Sequence, residues 1–168
     1  MNERRKFISS MVAAVPVSMA ASQTAQAAGM NDKDVIGAWT TEHTSPVGLF
    51  REFLLFAPGG GLTETNTLLH TNSQLALFAQ FGLPLPPAVN ASDGIGTWRR
   101  RGAGDVEVVF RKLLFDGNGV HLGDFRVQGR LRIEDGQLDA QWDSIRIEPL
   151  AGGAYEVGPA TSHGVRIA

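Results

Sequence analysis

Two turns constrain this chain more than any other feature. Asp135-Gly136 separates two alternating runs, Gly129 to Glu134 and Gln137 to Trp142. A two-residue type I′ hairpin needs positive φ at both central positions, and Asp-Gly tolerates that. The register it imposes pairs Glu134 with Gln137, Ile133 with Leu138, Leu131 with Ala140 and Gly129 with Trp142. One face is then apolar, with an indole over a glycine, and the other carries Arg130, Arg132, Asp139 and Gln141. The preceding turn, Asp116-Gly117-Asn118-Gly119, is expected to set Phe115 against Val120, Phe110 against Phe125 and Val108 against Val127. Both turns place the same side of strand 120–134 inside, and agreement between independent local signals marks a specified sheet.

Almost every segment after Asp34 reads with period two or as a short apolar run closed by glycine. Eight strands are expected, at 35–44, 48–57, 61–70, 94–101, 105–116, 120–134, 137–148 and 153–167. Joined in order by short turns, they close most easily into an antiparallel up-and-down barrel, which removes exposed edges. A two-sheet sandwich is the alternative.

A weak repeat runs through the first half. Ile36-Gly37-Ala38-Trp39 recurs as Ile95-Gly96-Thr97-Trp98, an offset of 59 residues that also maps Leu54-Leu55-Phe56 onto Leu113-Leu114-Phe115 and Gly60 onto Gly119. One stretch breaks the strand language. Thr71 to Ser92 contains Leu75, Phe78 and Phe81 at helical spacing, and then Pro84, Pro86 and Pro87 forbid continuation. This short helical or irregular segment reads either as a lid over one barrel end or as a plug.

Residues 1–27 read as an export leader: Arg4-Arg5 in a charged start, a short apolar middle, and the small-residue site Ala25-Gln26-Ala27. The pattern resembles a twin-arginine signal, with the general secretory route as the alternative, so a periplasmic or secreted protein is expected. Residues 28–168 then form a single domain. Of the 15 basic and 17 acidic residues, three and one lie in the leader, which leaves a net charge of −4 beyond it. That balance excludes nucleic acid as a partner and gives no polybasic membrane patch. Arg99-Arg100-Arg101 is the one basic run, and strand alternation reads it as a solvated edge rather than an anion site. With no cysteine, disulfides, thiolate nucleophiles and thiolate metal sites are ruled out. No integral membrane span is expected in the mature chain.

With a Gly-x-Trp opening, eight strands and about 140 residues beyond the leader, the chain resembles the lipocalin and calycin group. It is similar in particular to exported, lipocalin-like bacterial proteins in which a GTW, a KxLFD-G-x-G turn and a terminal G-x-RI recur, here as Gly96–Trp98, Lys112–Gly119 and Gly164–Ile167. The resemblance implies a barrel with an interior site, and for Gly37, Trp39, Gly96 and Trp98 it implies packing roles only.

No metalloprotease, hydrolase or phosphate-loop signature is present, and His43, His70, His121 and His163 have no metal-ligand spacing, so neither metal nor cofactor is expected. The useful signal is polar residues in an apolar phase. In strand 61–70 the even positions are Leu62, Glu64, Asn66, Leu68 and His70, and the leucines turn that face inward. Lys112 falls in the series Val106, Val108, Phe110, Lys112, Leu114. Strand 48–57 is ambiguous. A five-residue loop Ala57–Gly61 aims Phe50, Glu52, Leu54 and Phe56 inward, whereas the repeat aims Arg51 and Phe53 inward; the repeat is preferred because two copies of a module share orientation.

The candidate ligand-binding residues are therefore Arg51, Phe53, Glu64, Asn66, His70, Phe110, Lys112 and Trp142. The leading reading is an exported barrel that binds a small hydrophobic or amphiphilic molecule. A second is a cofactor-free cyclase, isomerase or lyase, as similarity to calycin-type allene oxide cyclase barrels allows, with Glu64 or His70 moving a proton. A third is a structural or partner-binding envelope protein with a filled interior. The oligomeric state is not legible.

Overall fold

The computed structural model describes residues 32–45, 48–66 and 90–167. The leader, His70 and Thr71–Val89 of the expected lid lie outside these residues. A single-turn helix, α1 (Asp32–Val35), precedes β1 (Gly37–Ser45), β2 (Gly48–Phe56), β3 (Gly61–Asn66), β4 (Asn90–Ala91), β5 (Gly94–Arg100), β6 (Asp105–Phe115), β7 (His121–Glu134), β8 (Gln137–Pro149), β9 (Tyr155–Glu156) and β10 (Ala160–Arg166). The sheet runs β10-β1-β2-β3-β5-β6-β7-β8, and β10 also pairs with β8. The protein is therefore a closed, eight-stranded antiparallel up-and-down barrel, and closure leaves these eight strands without a free edge. The short β4 and β9 extend β6 and β8. No helix among the described residues is long and apolar enough to cross a membrane.

One end of the barrel is apolar. Trp39, Phe56, Leu62, Trp98, Val106, Leu131, Ile133 and Leu138 are all buried there, and Val35 of α1 packs onto them. The buried indoles are satisfied as well as packed: Trp39 Nε1 donates to Val35 O at 3.0 Å and Trp98 Nε1 to Ala57 O at 3.0 Å. The Arg166 guanidinium lies over the Trp39 ring and donates to Lys33 O and Asp34 O, which ties α1 to the last strand. The basic run is matched by carboxylates: Arg99 and Arg101 both reach Glu107, and Arg100 reaches Asp32.

The β7–β8 register is the one its turn demands, from Glu134 with Gln137 to Gly129 with Trp142. Asp135 takes the positive φ of 51° that the turn needs. The β6–β7 register departs from expectation: Phe110 opposes Val127, Val108 opposes Gly129, and Phe115 opposes His121 across an irregularity at Leu114/Phe115. Asp116 explains the difference, because its Oδ1 accepts from the backbone N–H of both Asn118 and Val120 and draws Val120 into the loop. Over most of the ladder the shift is two residues, which preserves the inward face.

β2 corrects a second expectation. Phe56 opposes Leu62, as the short loop requires, and Glu52, Leu54 and Phe56 are buried while Arg51, Phe53 and Leu55 point outward. The repeat misleads here because its Leu-Leu-Phe element does not occupy equivalent ladder positions. Trp39 opposes Leu54, whereas Trp98 opposes Val108, five residues before the supposed equivalent Leu113. The two Gly-x-Trp strands match, but the apolar triplets have opposite parity: Leu54 is buried and Leu113 exposed.

Candidate functional site

Beyond the tryptophan end, the inward face turns polar. Among the described residues the buried polar side chains are Thr41, His43, Glu52, Glu64, Asn66, Lys112 and Ser162. Ladder register assembles them from five strands. Thr41 opposes Glu52, which opposes Asn66; His43 opposes Ser162; and Glu64 opposes Gly94. Gly94 makes room for the carboxylate, since a Cβ there would lie 2.7 Å from Glu64 Oε2 and 2.8 Å from Phe110 Cδ2.

Two connected groups result. In the first, Lys112 Nζ approaches Glu64 Oε2 at 2.7 Å with both side chains fully sealed, and Asn66 Nδ2 donates to Glu64 Oε1 at 2.7 Å. Beyond this contact Nζ and Oε2 have no further partner among the described residues, so each retains unmet hydrogen-bonding capacity. Burial pushes the Glu64 carboxyl up to about 7; the charge of Lys112 opposes the rise and that of Glu52 adds to it. In the second group, Glu52 Oε1 accepts from Thr41 Oγ1 at 2.9 Å and from Ser162 Oγ at 3.1 Å, while Ser162 Oγ accepts from Trp142 Nε1 at 2.8 Å. His43 Nδ1 lies 3.0 Å from Ser162 Oγ and 3.6 Å from Glu52 Oε1. Aromatic rings flank this group: His43 stacks on Phe50 at 4.3 Å, and Trp142 meets Phe110 edge-on at 5.8 Å.

Of the residues singled out from sequence, Glu64, Asn66, Phe110, Lys112 and Trp142 share this interior. Arg51 and Phe53 do not, because the β2 register turns them to the outer wall, where Arg51 meets the exposed Glu42 at 3.4 Å. His70 lies outside the described residues. Glu52, Thr41, His43 and Ser162 were missed. The five-residue loop signal contained Glu52, and the phase set by Trp39 contained Thr41 and His43. Ser162 carries no mark in the sequence.

A serine, a histidine and a glutamate in contact invite comparison with a nucleophilic triad, but the connectivity is wrong. Glu52 bonds the serine itself and approaches the same imidazole nitrogen as the serine does, so it does not orient a base from the far side. No group of three or more His, Asp or Glu among the described residues is placed to hold a metal ion. A crevice of about 480 Å³ on the outer wall, lined by Arg101, Arg130, Arg132, Asp139 and His163 among others, has its charges matched locally, as by Arg130 with Asp143. No family model matches the chain, and no curated protein matches it.

Proposed function

We propose that the protein is an exported carrier that holds one small amphiphilic molecule inside its barrel. The Lys112–Glu64 pair carries this reading. Removing two charges from water costs several kcal/mol per ion, and an apolar pair of similar volume often serves stability equally well or better. A fully sealed ion pair with unmet hydrogen-bonding capacity is therefore better suited to meeting a polar group than to holding strands together. Glu64, Lys112, Asn66 and Glu52 would receive the polar end of the ligand, and Phe110, Trp142 and Leu54 would line its apolar part. The arginine-pair leader and the resemblance to exported lipocalin-like proteins favour the same assignment.

Native mass spectrometry of the protein purified from its own periplasm tests the proposal. A retained small molecule, lost when Lys112→Met and Glu64→Leu are combined, is the expected result. A clean apo mass together with no uptake of neutral hydrophobic probes would overturn it.

A second reading, a cofactor-free isomerase or cyclase, is favoured by one observation: Glu64 titrates at about 7, where a carboxyl can both take and return a proton. Lys112 would then stabilise negative charge developing on the substrate. Conversion of the retained molecule into an isomer on incubation, abolished in Glu64→Gln, distinguishes catalysis from storage.

A further inference from the structure

We propose that the molecule held in the barrel is an amphiphilic organic amine, bound as its ammonium ion against Glu52 and Glu64 rather than as a carboxylate against Lys112. This rests on the carrier reading and adds the chemical class of the ligand. The ground is a charge count over the buried interior. The described residues place two carboxylates, one ammonium and one imidazole there. Lys112 is taken by Glu64. Glu52 is held by hydroxyls, from Thr41 and Ser162, which stabilise its charge without cancelling it.

Proton accounting at Ser162 shows that this group brings Glu52 hydrogen bonds rather than a second lysine or arginine. The hydroxyl has one hydrogen, given to Glu52 Oε1, and its lone pairs accept from Trp142 Nε1. His43 Nδ1, 3.0 Å from the same oxygen, must then supply its own hydrogen. That hydrogen bond calls for no cation, and among the described residues the two interior carboxylates outnumber the interior ammonium by one. A fatty-acid headgroup would raise that to two in a low-dielectric space, whereas an ammonium ion brings it to zero. Two further features suit an ammonium. Glu64 Oε2 has no partner beyond Lys112 among the described residues, and the Phe50, Trp142 and Phe110 rings lie beside the Glu52 group, where faces of aromatic rings attract organic cations.

The groups facing Glu64 fix the sign of the pH dependence. They are Lys112 from β6, Asn66 on its own strand and Glu52 from β2, with His43 of β1 behind Glu52. Acid protonates Glu64, which removes one of the two carboxylate charges, weakens attraction for an ammonium and favours a carboxylate.

The test displaces a neutral naphthylamine dye from the full exported protein with dodecylamine, dodecanol and dodecanoate, near pH 8 and again at about pH 5.5. Dodecylamine should bind at least about tenfold more tightly than dodecanoate near pH 8, a difference of about 1.4 kcal/mol. The preference should narrow in acid. Glu52→Gln keeps an acceptor for Thr41 and Ser162 but removes the charge, and should lower the affinity for the amine relative to the alcohol about tenfold. Should that variant fail to fold, the wild-type comparison decides alone. Tighter binding of dodecanoate at both pH values overturns the amine assignment and leaves the carrier reading standing. Displacement by none of the three overturns both.

Discussion

Lys112 Nζ lies 2.7 Å from Glu64 Oε2, on neighbouring sides of the barrel interior and with no solvent reaching either side chain. Breaking such a pair from one side strands a buried charge. Lys112→Met alone should therefore cost about 3–5 kcal/mol in urea unfolding. Adding Glu64→Leu should restore stability to the wild-type level or above while dye uptake stays low. A double variant no more stable than the single one would show that the pair is structural.

Burial of Glu64, against the opposing pull of Lys112, makes stability depend on pH in a direction opposite to that of an ordinary surface carboxylate. Glu64 rises from 4.5 to about 7 on folding, so between those values the folded state holds a proton that the unfolded state has released. Stability is fully present below about pH 4.5 with respect to this group, falls as pH rises towards 7, and is flat beyond; the change is on the order of 3 kcal/mol. Glu64→Gln should remove that slope. Urea midpoints at several pH values for the two proteins check this, and parallel profiles would show that Glu64 titrates normally.

Glycines in the ladder are packing residues as much as turn formers. A Cβ on Gly96 would stand 2.6 Å from Phe110 Cα, a backbone contact that no rotamer change relieves. Gly96→Ala should therefore destabilise the barrel by about 3 kcal/mol or prevent folding. Gly136, with nothing within 4 Å of a built Cβ but a φ of 75°, should lose only about 1 kcal/mol on the same change. Equal losses at the two positions would contradict the close approach of β5 and β6.

How much of this was legible follows from how much slack each signal had. The Asp135-Gly136 turn allows no alternative spacing, so the β7–β8 register could be read residue by residue. The Asp116 turn had room for Val120, and its register slipped while the inward face survived. Glu64, Asn66 and Lys112 stood out as polar residues in an apolar phase. Glu52 was lost because seven scattered identities outweighed a short loop, although a loop constrains pairing directly and identities do not. Ser162 lies 119 residues from His43 and 110 from Glu52, and only closure of β10 onto β1 brings them together. Nothing local in the sequence encodes that contact.

The export proposal has its own test. Replacing Arg4 and Arg5 together with Lys should leave uncleaved precursor in the cytoplasm if the twin-arginine route is used, because that route reads the arginine pair itself. Cell fractionation decides it. Normal export of the variant would assign the general secretory route, and retention of the wild type in the cytoplasm would remove export altogether.

Gly94 links packing to the site. It opposes Glu64 across the β3–β5 ladder, and the carboxylate lies over it. A methyl group there meets Glu64 Oε2 at 2.7 Å, Phe110 Cδ2 at 2.8 Å and Glu64 Cβ at 3.2 Å, all side-chain atoms rather than backbone. The barrel can therefore accommodate Gly94→Ala by moving those two side chains, at a cost of about 1–3 kcal/mol. The displaced carboxylate then leaves Lys112, and the ammonium is left without its ion-pair partner. We expect a folded protein whose affinity for amphiphilic probes drops about tenfold, a change larger than its loss of stability explains. The shift of the Glu64 carboxyl carbon resonance with pH supplies an independent readout, because separation from Lys112 removes the interaction that holds its titration down and the midpoint should move above about 7. A variant with unchanged probe affinity and an unchanged midpoint would show that the Glu64 carboxylate does not depend on the space above Gly94, and would remove that glycine from the site.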